Sequence, residues 1–213
     1  MKCVIGYDED YMPQYKVCKS TITEDTDYTR NMILPHEGST RFSMSRFLVP
    51  YQMQYHGWHL YCDSDFYFLD TPRKLLHYID PKYAVLVCKH PNYTPNSEEK
   101  MDGKPQQPYE RKNWSSLMLW NCAHEANRLL TPTFVADCHP LYMHQFKWLE
   151  DDQIGSLPLE WNTLEGYYEF ANPKAIHYTD GVPLDDKYKN TPNAQLWLDR
   201  HELLLREGGD SVY

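Results

Sequence analysis

Short, continuous apolar runs separated by longer mixed stretches dominate the chain, a pattern of buried strands set between helices and loops. The first run, Lys2-Cys3-Val4-Ile5-Gly6-Tyr7-Asp8, predicts an opening strand that ends in glycine and an acid. A helix over Tyr11 to Ser20 and a polar stretch from Thr21 to Thr40 follow. From Arg41 to Gln54 the spacing of Phe42, Phe47, Leu48 and Tyr51 predicts a helix interrupted by Pro50. Trp58 to Cys62 reads as a buried strand, Leu75 to Ile79 as a short helical stretch, and Tyr83 to Cys88 as a central strand, being apolar throughout and bounded by polar residues. Pro91 to Arg111 holds four prolines and reads as a long excursion, a hairpin or lid. Ser115 to Trp120 returns to the core as a strand, Ala123 to Leu130 is helical, and Thr131-Pro132 opens another helix through Cys138. Pro173 to Ile176 forms a short strand that delivers His177, and Ala194 to Glu207 is a closing helix stopped by Gly208-Gly209. Strands alternating with helices argue for an α/β sheet, and 213 residues suit one domain.

Charge and composition narrow the function classes. With 21 Lys+Arg against 30 Asp+Glu the net charge is -9, which opposes a broad basic face for nucleic-acid backbone. The 18 Tyr, 7 Phe and 6 Trp suit a site that stacks on bases or sugars, and equally suit ordinary packing. Six cysteines without a CxxC pair, and no charged-then-apolar leader, predict a reduced, cytoplasmic protein. The charge-free stretch Trp114 to Ala123 is about half of the ~20 residues that a membrane helix needs. Finger spacing for zinc, the GxSxG nucleophile elbow and the GxxxxGK[ST] phosphate loop are all missing from the sequence.

Three groups of residues carry candidate chemistry. Asp63-Ser64-Asp65 follows the strand Trp58 to Cys62, where an open α/β sheet places its ligand crevice. Residues two apart on extended backbone point the same way, so both carboxylates can share a hard cation, Mg²⁺ or Mn²⁺, that also holds a diphosphate; a solvated acidic turn gives the same pattern. His177 is the best candidate for a third ligand, although a lone histidine is more often a core or surface residue. Asp151-Asp152-Gln153 either complements a helix terminus or holds a sugar's hydroxyls, and Arg111-Lys112-Asn113-Trp114 concentrates positive charge that would draw an anion.

Taken in order, these pieces resemble the GT-A glycosyltransferases, in particular small family-eight-like enzymes of bacteria and bacteriophages. The segments that carry the resemblance are Ile5-Gly6-Tyr7-Asp8, Ser45-Arg46-Phe47 ahead of Asp63-Ser64-Asp65, Trp114 to Asn121, Asp152-Gln153, Leu157-Pro158 with Trp161-Asn162, and His177-Tyr178-Thr179-Asp180-Gly181. They match a first strand ending in an acid, an arginine before DxD, an N-[SA]-G strand, a D-Q pair, L-P-x-x-W-N and a late H-[FY]-x-G, over roughly residues 3 to 183. Two departures stand out: Val182-Pro183-Leu184 occupies the region of the family's late lysine, and Ser115-Ser116 replaces its small-Gly pair.

The resemblance implies a GT-A-like, mixed, mostly parallel sheet flanked by helices, with a catalytic domain over 1–185 and a C-terminal helical tail over 186–213. It implies that Tyr7 and Asp8 meet the base and ribose, that Arg46 and Ser64 support the nucleotide, and that Asp63, Asp65 and His177 hold Mn²⁺ or Mg²⁺. Asp151, Asp152 and Gln153 would sit beside the donor sugar, while Lys89, Arg111 or Lys112 would replace the late lysine at the leaving diphosphate. The implied activity is transfer of a sugar from a nucleotide-diphosphate donor such as a UDP-sugar to an acceptor hydroxyl on a glycan, a lipid-linked glycan, a protein or a modified DNA base. A non-catalytic glycan- or nucleotide-binding module and a nucleotidyltransferase are the alternatives.

Overall fold

The apolar runs assemble into a six-stranded sheet in the computed structural model, which describes residues 1–30, 40–91 and 109–208. In chain order the elements are β1 (Cys3–Ile5), α1 (Met12–Ser20), β2 (Thr26–Tyr28), α2 (Phe42–Ser45), α3 (Val49–Gln52), β3 (Trp58–Cys62), β4 (Phe66–Phe68), β5 (Val85–Cys88), β6 (Leu117–Asn121), α4 (Pro132–Asp137), α5 (Pro140–His144), β7 (Ile154–Leu157), β8 (Thr163–Leu164), β9 (Ala175–His177) and α6 (Ala194–Arg206). The main sheet has the order β2-β1-β3-β6-β5-β7, and β4-β9-β8 form a smaller one. In the main sheet β6 alone runs against its neighbours, so the carboxyl ends of β1, β3, β5 and β7 share one edge. This is the mixed, mostly parallel α/β sheet that the sequence predicts.

Residue alternation along the strands supplies two cores. Val4, Tyr61, Val85, Val87, Met118 and Trp120 pack on one face with Phe42, Phe47 and Phe146, while Cys3, Ile5, Leu60, Cys62, Leu86 and Leu119 pack on the other with α1. Both faces are covered, which is why these strands read as continuous apolar runs. A third cluster joins Val17 of α1 to Tyr67, Ile176, Tyr178 and Trp197, and docks α6 against α1 and the small sheet. No helix among the described residues is long and apolar enough to cross a membrane.

Several expected elements differ in extent. The polar stretch after α1 contains edge strand β2, only three residues long and partly exposed, so no apolar run marks it. The single helix expected over 41–54 is divided into α2, a 3-10 turn at Arg46–Leu48, and α3, whose first turn accepts Pro50. The strand expected from Ser115 begins at Leu117, because Trp114–Ser116 form a 3-10 turn in which the Ser116 hydroxyl donates to the Asn113 carbonyl. The central strand begins at Val85 rather than Tyr83, and the helix expected over 123–130 is a 3-10 segment, Glu125–Leu129. Most of the excursion expected over Pro91 to Arg111 lies outside the described residues.

Candidate active site

The shared edge of the sheet gathers the acidic triplet. Asp63 directly follows β3, and its N–H donates to the Ser116 carbonyl at 2.9 Å, which ties the turn to the start of β6. Asp65 immediately precedes β4, whose Phe66 lies opposite His177 in antiparallel register on β9. That pairing brings together residues 112 positions apart in the chain. One ligand atom from each of Asp63, Asp65 and His177 lies within 4.8 Å of the others.

Neighbouring groups fix each member. Arg46, almost fully buried, places its Nη1 3.0 Å from Asp63 Oδ1 and also donates to the Ser115 carbonyl at 3.0 Å. The Tyr61 hydroxyl donates to Asp63 Oδ1 at 2.5 Å. Gly6 permits this approach, since a Cβ there would stand 2.7 Å from Phe42 Cδ2 and 2.9 Å from the Tyr61 hydroxyl oxygen. Burial pushes the Asp63 carboxyl above the usual carboxylate range, against the downward pull of Arg46.

His177 is held on two sides. Its ring stacks on Phe66 at 4.4 Å, and Nδ1 lies 2.9 Å from Asn162 Oδ1. Asn162, fully buried just before β8, spends its amide N–H on the Ser116 hydroxyl, so its Oδ1 is the acceptor and His177 Nδ1 carries the proton. In the neutral ring His177 Nε2 then presents a lone pair, 3.4 Å from Asp65 Oδ1. Asp65 Oδ1 is itself buried and, among the described residues, accepts no hydrogen bond. Two acceptors facing each other beside a second carboxylate fit a divalent cation, and oxygen and imidazole donors suit Mn²⁺ or a similar ion.

The remaining expected residues are distributed around this group. Asp8 is buried at the end of β1, where its carboxylate accepts from Asp10 N at 3.2 Å and Arg41 N at 2.8 Å. Tyr7 meets Tyr15 edge-on and Tyr28 at a tilt, each at 5.2 Å. Ser64 is buried within the acidic turn. Lys89 and Arg111 flank the Trp114 ring at 5.5 and 5.4 Å; Lys89 also donates to the Ile154 carbonyl, and Arg111 pairs with Asp151 at 2.5 Å. Lys112 is buried, with its ammonium 5.6 Å from the centre of the Tyr109 ring. Burial, then Arg111, pulls the Lys89 ammonium down.

Asp151-Asp152-Gln153 lies outside the three-residue group that could share a cation. It forms a 3-10 turn at the start of β7, the end of that strand remote from the shared edge. Gln153 closes a capping box with Glu150, and Asp152 stays exposed. A cavity of about 690 Å³ lies there, lined by these residues with Lys82, Tyr83 and Lys89.

Three participants escaped the sequence reading. His144, at the end of α5, joins Ser115 Oγ at 2.8 Å and Ser43 Oγ at 3.4 Å, and so adjoins the Arg46 anchor. His90 and Tyr168 stand beside Asn162: the Tyr168 hydroxyl donates to the Asn162 carbonyl at 3.2 Å and bonds His90 Nδ1. L-P-x-x-W-N was the signal that could have singled out Asn162, whereas nothing in the sequence marks His90 or His144.

No protein-family profile matches the chain. Protein CDI of Arabidopsis thaliana is 39% identical over 225 residues, spanning 95% of this chain and 86% of that protein. The chain belongs to the Protein CDI family. Among solved structures, the WbbM bifunctional glycosyltransferase superposes with a TM-score of 0.60 at 15% identity, over 94% of this chain and 51% of the other, so the chain spans about half its length. The GlyE glycosyltransferase of Streptococcus pneumoniae gives 0.59 at 13% identity, over 97% and 62% of the two chains. The galactosyltransferase LgtC, solved with donor and acceptor sugar analogs, gives 0.56 at 10% identity over 95% of both. At these identities the likeness is one of fold, and this member of the CDI family has the GT-A fold.

Two outcomes test the electrostatics of the site. Arg46→Met should destabilise the chain by roughly 3–5 kcal/mol in chemical denaturation, since it strands the Asp63 carboxylate, and adding Asp63→Asn should recover most of the loss. Burial, with His177 adding to it, pulls His90 from 6.5 down to about 3. The folded chain thus binds fewer protons than the unfolded one between these values, so this contribution to stability is present above pH 6.5 and falls as pH drops towards 3. Relative to His90→Gln, wild-type stability should decline by up to ~1.4 kcal/mol per pH unit across that window, as read by urea titrations.

Proposed function

We propose that the chain is a metal-dependent glycosyltransferase that moves a sugar from a nucleotide-diphosphate donor, a UDP-sugar, to an acceptor hydroxyl. The observation that carries this reading is the unpaired, buried Asp65 Oδ1 facing the His177 Nε2 lone pair at 3.4 Å, with Asp63 beside them. Asp63, Asp65 and His177 would hold Mn²⁺ or Mg²⁺. The ion, when bound, supplies Lewis acidity to the departing diphosphate.

The chain's own residues do the rest. Arg46 holds Asp63 as an anion, and Asn162 holds His177 in the tautomer that can ligate. Tyr7, Asp8 and Ser64 form the nucleotide side, with Arg46 behind them. Lys89, Arg111 and Lys112 supply positive charge in place of a late lysine, with Trp114 as the platform between the first two. Of the three residues proposed for the sugar side, Asp152 keeps an exposed carboxylate, while Asp151 is bound to Arg111 and Gln153 to Glu150. The six free thiols support a reducing, cytoplasmic setting.

A panel of nucleotide sugars tests the reading by Mn²⁺-dependent donor hydrolysis and thermal stabilisation. We expect one donor to be hydrolysed, with Asp65→Asn losing at least ~10²-fold of the rate. Stabilisation without hydrolysis or transfer would favour a binding module. Neither response with any donor would overturn the reading.

A further inference from the structure

Among the described residues, His90 is the one buried imidazole near the acidic triplet to which the proposed mechanism gives no role. It lies two residues beyond β5, at the edge where Asp63 and Asp65 emerge, and is 7% exposed. We assign the Tyr168 hydroxyl proton to the Asn162 carbonyl, which makes its oxygen the acceptor of His90 Nδ1–H. The proton on Nδ1 leaves His90 Nε2 as a bare acceptor, and among the described residues that atom is buried without a partner. Asn162 thus orients two rings alike: His177 through its side-chain oxygen, and His90 through its carbonyl and Tyr168.

The chemistry of Nε2 selects what it can meet. A neutral imidazole nitrogen needs a hydrogen from its partner, and a diphosphate oxygen near neutral pH has none to give. His90 also stands outside the three-residue group within which a cation would be shared. What remains is a neutral hydrogen donor, O–H or N–H, and the groups of this kind that a sugar presents most abundantly are hydroxyls. We infer that His90 Nε2 accepts a hydrogen bond from a hydroxyl of the transferred sugar and makes the chain selective among donors. The inference rests on the glycosyltransferase reading, and it identifies His90 as the residue that reads the sugar rather than the nucleotide.

The test measures dissociation constants with MnCl₂ present for UDP alone, GDP alone, UDP-glucose, UDP-galactose, UDP-xylose and GDP-mannose. Wild type is compared with His90→Phe and His90→Gln, each checked for an unchanged far-ultraviolet spectrum. Phenylalanine fills the space without an acceptor, whereas glutamine restores one. His90→Phe should lose on the order of tenfold in affinity for the sugar nucleotide that wild type binds best, with the free nucleotide unaffected. His90→Gln should stay within about threefold of wild type, since its amide oxygen can accept the same hydrogen. The inference is overturned if His90→Phe binds that donor as tightly as wild type, or if it loses donor and free nucleotide equally, which would indicate a ribose contact or a structural role. Both of those results leave the glycosyltransferase reading intact. Should wild type bind no sugar nucleotide in the panel, that reading falls and the assignment of His90 falls with it.

Discussion

Two carboxylates stand two residues apart at the rim of a buried sheet, and only one of them has a cation of its own. Arg46 neutralises Asp63 from beneath and, through the Ser115 carbonyl, fastens the acidic turn to the segment leading into β6. Among the described residues Asp65 has no such partner, and its inner oxygen faces His177 Nε2. Leaving a desolvated carboxylate oxygen without a donor costs stability that a chain does not normally forgo. Much of the surrounding structure maintains this arrangement: the pairing of β4 with β9, the stacking of Phe66 on His177, and the Asn162 bridge to Ser116.

Because β1, β3, β5 and β7 are parallel, their carboxyl ends deliver Asp8, Asp63 and His90 to one edge. The small sheet brings His177 to the same edge from a strand far along the chain. A fold that converges separate strand ends in this way can be altered residue by residue without losing the site. Serines occupy the positions where the resemblance expects a small-Gly pair, and here both are used: Ser115 Oγ meets His144, and Ser116 Oγ accepts from Asn162. The cations around Trp114, Arg111 and Lys89, already have partners within the chain.

The parts legible in the sequence were those in which a residue's role is set by its neighbours along the chain. Trp58 to Cys62 is apolar apart from His59 and forms β3 with the expected bounds, and the order of weak motifs pointed from Asp63 and Asp65 to His177. β2 was not legible, because an edge strand of Thr-Asp-Tyr carries no apolar signature. His90 was not legible for a different reason: its environment is made by Tyr168 and Asn162, more than 70 residues away, with bonds spanning 78 and 6 positions. Asp151-Asp152-Gln153 was legible as acids and an amide opening a turn, yet its place at the start of β7 follows only from the direction of that strand.

The central claim is that Asp63, Asp65 and His177 hold a single divalent cation, and anomalous diffraction from crystals soaked in MnCl₂ tests it most directly. The account predicts one manganese peak within about 2.0–2.4 Å of an Asp65 oxygen and His177 Nε2, with Asp63 in the same coordination sphere and with Asn162 still bonded to His177 Nδ1. A well-ordered site without manganese at saturating concentration, or manganese bound only elsewhere on the chain, would contradict it.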